Sequence, residues 1–193
     1  LVLEWFKKEK RPFFKLIYPV KLRLPEKLQP FITNEKVIQV LQHDQLSHPK
    51  SQVILDRVTP RDASAFAARY LQAFESKKEL SPAIVRNFEA LLKQAKVYYF
   101  NLLIADEIVG ICGFYRQKEA WFLSAGAVLP KHRNRGYHKS MIAARLKILN
   151  EIDGTKPINT WAYEGSKSEA NLQANGFIPQ IKLKESSLAI SIN

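Results

Sequence analysis

The chain has a single cysteine, Cys112, so no internal disulfide can staple it. Its four histidines, His43, His48, His132 and His138, form no ligand pair at helix or finger spacing, and Cys/His metal spacing is absent. A structural metal is therefore not expected, and a reducing cytoplasm is the default compartment. No uncharged run approaches the ~18–20 apolar residues of a membrane span. The chain opens on Leu1 rather than methionine, and Glu4, Lys7 and Lys8 interrupt its first apolar residues, which argues against a secretory leader. Repeats and low-complexity tracts are missing. Acidic residues are few, 18 against 30 basic, for a net charge of +12. That balance favours anionic partners such as nucleotides, nucleic acid, acidic lipid or acidic carrier proteins, although a basic surface can also simply be solvated.

What is present divides at about residue 50. Pro12, Pro19, Pro25 and Pro30 punctuate an aromatic and basic arm, residues 1–50, and exclude a long helix there. Thr33 can cap a short helix running from Glu35 to Leu41 and ended by His48-Pro49. The arm carries too many Phe, Leu and Ile residues for simple disorder, so it is expected to pack on the body or on a partner. Its Leu1-Val2-Leu3, Trp5-Phe6 and Lys7-Lys8 composition also allows a peripheral membrane contact.

From Gln52 the pattern becomes regular. Val53–Val58 alternates as a strand, and Thr59-Pro60-Arg61-Asp62 starts a helix with a threonine cap, a first-turn proline and an acid at the third position. Ser81-Pro82 starts a second helix in the same way. Tyr98–Ala105 and Ile108–Tyr115 read as a hairpin about Asp106-Glu107, with Gly113 marking a bulge or a close backbone approach. Ala120–Val128 is a further strand. Ile142, Leu146 and Leu149 then define a helical stripe with Lys139, Arg145 and Lys147 off it. Ile158–Tyr163 is a strand, Ser166–Asn175 a short helix closed by Gly176, and Phe177–Leu183 with Leu188–Ile192 a closing pair of strands. The order is that of one α/β domain, residues 51–193, with a mixed sheet.

Between the strand ending at Val128 and the helix bearing Ile142 lies Pro130-Lys131-His132-Arg133-Asn134-Arg135-Gly136-Tyr137-His138. A glycine-containing turn, a helix N-terminus and several cations meet there, which suits an anionic diphosphate. Arg133 to His138 matches Q/R-x-x-G-x-G/A except at its last position. With the flanking elements, this resembles the GNAT superfamily of coenzyme A-dependent acyltransferases over roughly residues 52–193. Arg57 to Asp62 and Gly176-Phe177 stand where that family has its opening helix start and its final helix end. The resemblance implies a single GNAT-like domain with a mixed, mostly antiparallel central sheet flanked by helices, preceded by the N-terminal extension. It also implies acetyl-CoA or another acyl-CoA as co-substrate and no metal. The diphosphate would lie on the loop of Arg133, Asn134, Arg135, Gly136, Tyr137, His138 and Lys139. Pantetheine would lie along the backbone of Ala127 and Val128, with Ser168 as a further contact.

The same resemblance implies direct attack of a primary amine on the thioester, polarised by a main-chain N–H. The usual proton-handling groups are missing. Leu172 stands where the family often has its tyrosine acid, Gly165 where it often has asparagine, and the Ala120–Val128 strand has no internal carboxylate. Tyr163 and Glu164 are the expected substitutes for acid and base, with Ser124 as the polar residue within the strand. Tyr163, Glu164 and Ser168 each also have a structural alternative, as packed aromatic, solvated loop acid and helix surface residue. Cys112 reads as a small buried strand residue. Three functions fit: an acetyl-CoA-dependent N-acetyltransferase acting on an amine, a coenzyme A-binding regulatory module with little chemistry, and a basic protein- or nucleic-acid-binding module. A homodimer is compatible with all three.

Overall fold

A computed structural model describes residues 13–43 and 53–189. The Leu1–Lys8 stretch, His48-Pro49 and the end of the strand expected to reach Ile192 lie outside those residues. Among the described residues, eight strands and four α-helices follow in order: β1 (Phe13–Pro19), β2 (Ile32–His43), β3 (Ile54–Arg57), α1 (Ala63–Ala73), α2 (Pro82–Leu92), β4 (Val97–Ile104), β5 (Glu107–Arg116), β6 (Trp121–Val128), α3 (Tyr137–Asp153), β7 (Ile158–Tyr163), α4 (Lys167–Gln173) and β8 (Ile178–Ala189). The strands form one mixed sheet in the order β1-β8-β2-β7-β6-β5-β4-β3. The pairs β3–β4, β4–β5, β5–β6 and β1–β8 are antiparallel, and β6–β7 is parallel. This is the expected α/β class.

The chain divides into two compact units. Of the described residues, the larger holds 42–43, 53–160 and 170–178, and the smaller holds 13–41, 161–169 and 179–189. In the larger unit, Thr59 starts the first helical segment by donating its amide and hydroxyl to the Asp62 carboxylate, at 2.9 and 2.7 Å. That pair holds the Asp62 carboxyl below the usual carboxylate range. Ser81 caps α2 by accepting from Ile84 N. Phe66 of α1 and Phe88 of α2 meet edge to face, and Phe66 also lies 5.1 Å from the ring of Tyr99 on β4. Met141, Ile142, Leu146 and Leu149 of α3 are fully buried. The hairpin turn centres on Ala105 and Asp106, both left-handed, one residue earlier than its sequence suggests.

Gly113 accommodates a close approach: a Cβ there would lie 2.6 Å from the ring of Tyr99 and 2.9 Å from the carbonyl of Tyr98. Since backbone and ring must both shift, Gly113→Val is expected to destabilise the protein by about 1–3 kcal/mol, read as a lower urea midpoint at unchanged m-value.

Three expectations fail. Residues Glu35–Leu41 are strand rather than helix, within β2, and Thr33 donates to Ser187 O instead of capping. The closing pair of strands is a single strand, β8, because Lys184-Glu185-Ser186-Ser187 continues extended. Arg145, expected off the α3 stripe, is buried. In the last two cases a charged residue read as turn or surface, Glu185 and Arg145, is buried. In the smaller unit, Tyr18 Oη and Ser186 Oγ both reach Glu35 Oε1, at 2.8 and 2.7 Å. Glu185 takes hydrogen bonds from Lys15 and Tyr163.

Candidate active site

The larger unit carries the basic loop between β6 and α3. Pro130–His132 form one 3₁₀ turn after β6, steadied by the Lys131–Glu107 ion pair at 2.9 Å. Two left-handed residues follow, Asn134 (φ +62°) and Gly136 (φ +78°), and α3 begins immediately after. Ser140 N is the first α3 amide bonded back into the turn, to Gly136 O. The amides of Tyr137, His138 and Lys139 therefore have no acceptor inside the helix, and no side chain caps it. Together with the helix dipole they form an N-terminal anion cradle. Arg135 and Lys139 stand exposed beside it.

Arg133 is differently employed. Its guanidinium pairs with Glu75 at 2.6 Å, donates to Ala73 O at 3.0 Å, and donates through Nε to Val128 O at 3.3 Å. It ties the end of α1 to the end of β6. Its side chain thus shapes the loop, while its main chain opens the turn.

His138 resolves the irregular last position of the motif. Its ring neither stands in solvent nor fills the cradle. Nδ1 lies 3.2 Å from the Asn171 amide nitrogen, which can only donate. The ring also hydrogen-bonds the Gly126 backbone. Nδ1 is thus the acceptor, and in the neutral ring the proton is on Nε2. Burial, aided by the charge of Arg145, pushes the imidazole down to about 4. His138 is therefore a neutral strut joining α3, β6 and α4. Asn175 completes the joint by donating to Asn171 O at 2.8 Å and Lys139 O at 3.4 Å.

The strand beneath is bulged. Ile111 pairs with Ala127 and Gly113 with Ser124, so β6 spends one more residue than β5 across this interval. Ala125 takes the strain, at φ +44°. On its other edge β6 pairs with β7 only at Trp121–Ile158 and Phe122–Asn159, after which Thr160 Oγ1 donates to Leu123 O. The stretch Ser124–Val128, including Ala127 and Val128, is left with no registered ladder partner on β7.

Among the expected proton-handling groups, Ser124 is half-buried, and its hydroxyl acts on the Tyr99 phenol, partly offsetting the effect of burial there. Burial, together with the neighbouring Tyr70 and Tyr115, raises the Tyr99 phenol above its ordinary range. Tyr99 escapes a reading of the sequence because it lies on β4, far from the motif; only its place in an alternating strand hints at it. Leu172 is buried as core and Cys112 is fully buried, its thiol pushed up to about 11.

Tyr163, Glu164 and Ser168 belong to the smaller unit. Tyr163 donates to Glu185 Oε1 at 3.1 Å, and burial followed by the Glu185 charge raises its phenol. Glu185, itself buried, also pairs with Lys15 at 2.9 Å. The Glu164 carboxylate is held by Lys182 and is exposed. Ser168 is half-buried in the first turn of α4, whose start is set by Ser166 accepting from Glu169 N. Among the described residues no cluster could hold a metal ion, and no helix is long and apolar enough to cross a membrane.

Comparison with known proteins agrees with this geometry. Residues 64–178 match the Acetyltransferase (GNAT) family. The fold resembles a GCN5-related N-acetyltransferase from Sphaerobacter thermophilus, at TM-score 0.69 and 13% identity over 96% of this chain and 64% of that one. It also resembles an acetyltransferase from Thermus thermophilus, at TM-score 0.54 and 21% identity over 75% and 100%. A third likeness is AAC(6')-Iy, solved with the bisubstrate analogue CoA-S-monomethyl-acetylneamine, at TM-score 0.54 and 19% identity over 66% and 92%. At these identities the likenesses speak for the fold. A search of curated proteins finds no match. With more than half of its length matched, the chain belongs to the GNAT acetyltransferase family, which implies acyl-CoA-dependent N-acyltransferase activity.

Proposed function

We propose that this protein transfers an acetyl group from acetyl-CoA to a primary amine by direct attack on the thioester. The observation that carries the reading is the pair of left-handed residues, Asn134 and Gly136, set directly before the uncapped first turn of α3. The diphosphate of acetyl-CoA would take the amides of Tyr137, His138 and Lys139, with Arg135 and Lys139 supplying charge. Pantetheine would run along the unladdered backbone of β6 at Ala127 and Val128; Ser168, the further contact that the family resemblance implies, belongs to the smaller unit. The thioester would then come to the bulge at Ser124 and Ala125, where a main-chain N–H polarises its carbonyl.

Proton transfer falls to hydroxyls here, since Leu172 is apolar and β6 has no carboxylate. Ser124, within the bulge itself, and Tyr99 of the same unit are the pair we assign to it. A phenol kept protonated by burial can donate to the departing thiolate through the serine. Tyr163 with Glu185 is the alternative route, with Glu164 as a base only if it leaves Lys182.

Titration calorimetry with acetyl-CoA, followed by coenzyme A release across an amine panel, tests the reading. Saturable binding and amine-dependent release are expected. Absence of binding by acetyl-CoA and by longer acyl-CoA analogues would sink it. Ser124→Ala is expected to lower kcat by about 10²-fold with acetyl-CoA binding unchanged; if Tyr163→Phe produces that loss instead, the proton runs through Glu185. A second reading has its own support, because the buried Leu172 removes the family's usual acid. A coenzyme A-binding module without turnover would bind acetyl-CoA and release nothing.

A further inference from the structure

Beneath the bulge lies a charge that the proposed chemistry does not yet use. Arg145, from the middle of α3, is 3% exposed. Its Nη1 donates to Ser124 O at 3.1 Å and to Gly113 O at 3.2 Å. Its Nε is buried with no hydrogen-bond partner, and no carboxylate among the described residues pairs with it. The nearby Cys112 thiol is neutral, and His138, two turns earlier on the same helix face, is neutral too. Gly126 makes the room: a Cβ there would lie 2.9 Å from Arg145 Nη2 and 3.0 Å from Met141 Cε. An unpaired buried guanidinium is a costly filler where methionine would pack without penalty.

Its position relative to one peptide group explains the cost. In a trans peptide the C=O and the following N–H point in opposite directions, and no cis peptide occurs among the described residues. With the Ser124 carbonyl drawn toward α3 by Arg145, the Ala125 N–H is turned away from α3. The Ser124 hydroxyl meanwhile acts on the phenol of Tyr99, which packs with α1 and α2. The Ser124 carbonyl is thus held from the α3 side. Left-handed Ala125 would otherwise have other ways to relieve its strain.

We propose that Arg145 is a positioning residue for acyl transfer, fixing the Ser124–Ala125 peptide so that the Ala125 N–H faces the thioester oxygen and placing a fixed positive charge one peptide behind it. The inference rests on the acetyl-transfer reading above. A carbonyl already committed to a cation makes its peptide N–H a stronger donor. Negative charge that develops on the thioester oxygen meets a dipole that needs no reorganisation. The residue touches neither acetyl-CoA nor the amine.

The test compares the unaltered protein with Arg145→Met and Arg145→Lys. Expected for methionine is a fold as stable as the original and acetyl-CoA affinity within about twofold, because the cradle is untouched. Its kcat should fall about 10²-fold with the amine KM little changed, as when one oxyanion donor is lost. Lysine should recover part of that loss. In NMR spectra of the ligand-free proteins, the Ser124 carbonyl and Ala125 amide signals should move in methionine and less in lysine. In infrared spectra of bound, carbonyl-labelled acetyl-CoA, the thioester band should shift back toward its solution frequency in methionine. Turnover by the unaltered protein matched by the methionine variant overturns this proposal alone, as do unmoved Ser124 and Ala125 signals. A joint loss of acetyl-CoA affinity and kcat overturns it in favour of a scaffold role. An unaltered protein that neither binds nor uses acetyl-CoA overturns the acetyl-transfer reading, and this proposal with it.

Discussion

Gly136→Val is expected to leave the protein folded and to weaken acetyl-CoA binding by at least about tenfold. Gly136 stands at φ +78°, where a β-branched residue costs roughly 1–3 kcal/mol. A Cβ built there meets nothing within 4 Å, so the penalty is torsional and not a collision. An exposed loop can relieve torsional strain by turning the offending residue to negative φ. That rotation redirects the peptide leading into Tyr137 and spoils the convergence of the α3 amides. The strain reappears as lost affinity, at about 1.4 kcal/mol per factor of ten. Melting temperature without ligand should barely move.

Arg135→Ala is the useful comparison. Its exposed guanidinium contributes charge without defined geometry, so its effect should be severalfold at low salt and vanish by about 1 M. A valine effect that persists in high salt, beside an alanine effect that does not, separates cradle shape from surface charge. If valine at position 136 binds acetyl-CoA as tightly as glycine does, the diphosphate is not on this loop.

This loop was legible because its information is local. Pro130, Gly136 and the apolar stripe of α3 stand within a few residues of one another, and a turn followed by a helix is specified at that range. The bulge in β6 was not legible. Ala125 is left-handed without being glycine or asparagine, so nothing in its type announces the conformation. It is imposed by the one-residue mismatch with β5 and by the pull on the Ser124 carbonyl. Arg145 was legible in principle. At about 100° per residue it lies about 60° from Ile142 and about 40° from Leu149, inside the buried stripe. Chemistry outweighed position in placing it outside. The interior carboxylate Glu185 was lost in the same way, as a presumed break between two strands. Polar type is a weaker guide to exposure than periodicity wherever carbonyls or hydroxyls can receive the side chain.

His138 carries the second large expectation, a loss of stability on the acid side that a single substitution should remove. The folded ring titrates at about 4 against an ordinary value of 6.5. Below 6.5 the unfolded chain takes up a proton that the folded chain refuses, so stability rises with pH between about 4 and 6.5. The contribution is complete above 6.5 and lost as the pH falls toward 4. At 1.36 kcal/mol per unit the whole window is worth about 3 kcal/mol. The physical event is explicit: a proton on Nδ1 abolishes the acceptor facing Asn171 and places a second charge beside Arg145. Carboxylates held below their usual range, such as Asp62, Glu35 and Asp153, stay ionised through most of this window. Urea denaturation at half-unit steps from pH 7 to 4.5, run on the protein and on His138→Gln, reads the difference in slope and cancels the other histidines. The unaltered protein should lose about 2 kcal/mol more than the glutamine variant over that range. Parallel curves would mean that the ring is solvated and free to protonate, and that the joint between α3, β6 and α4 does not depend on it.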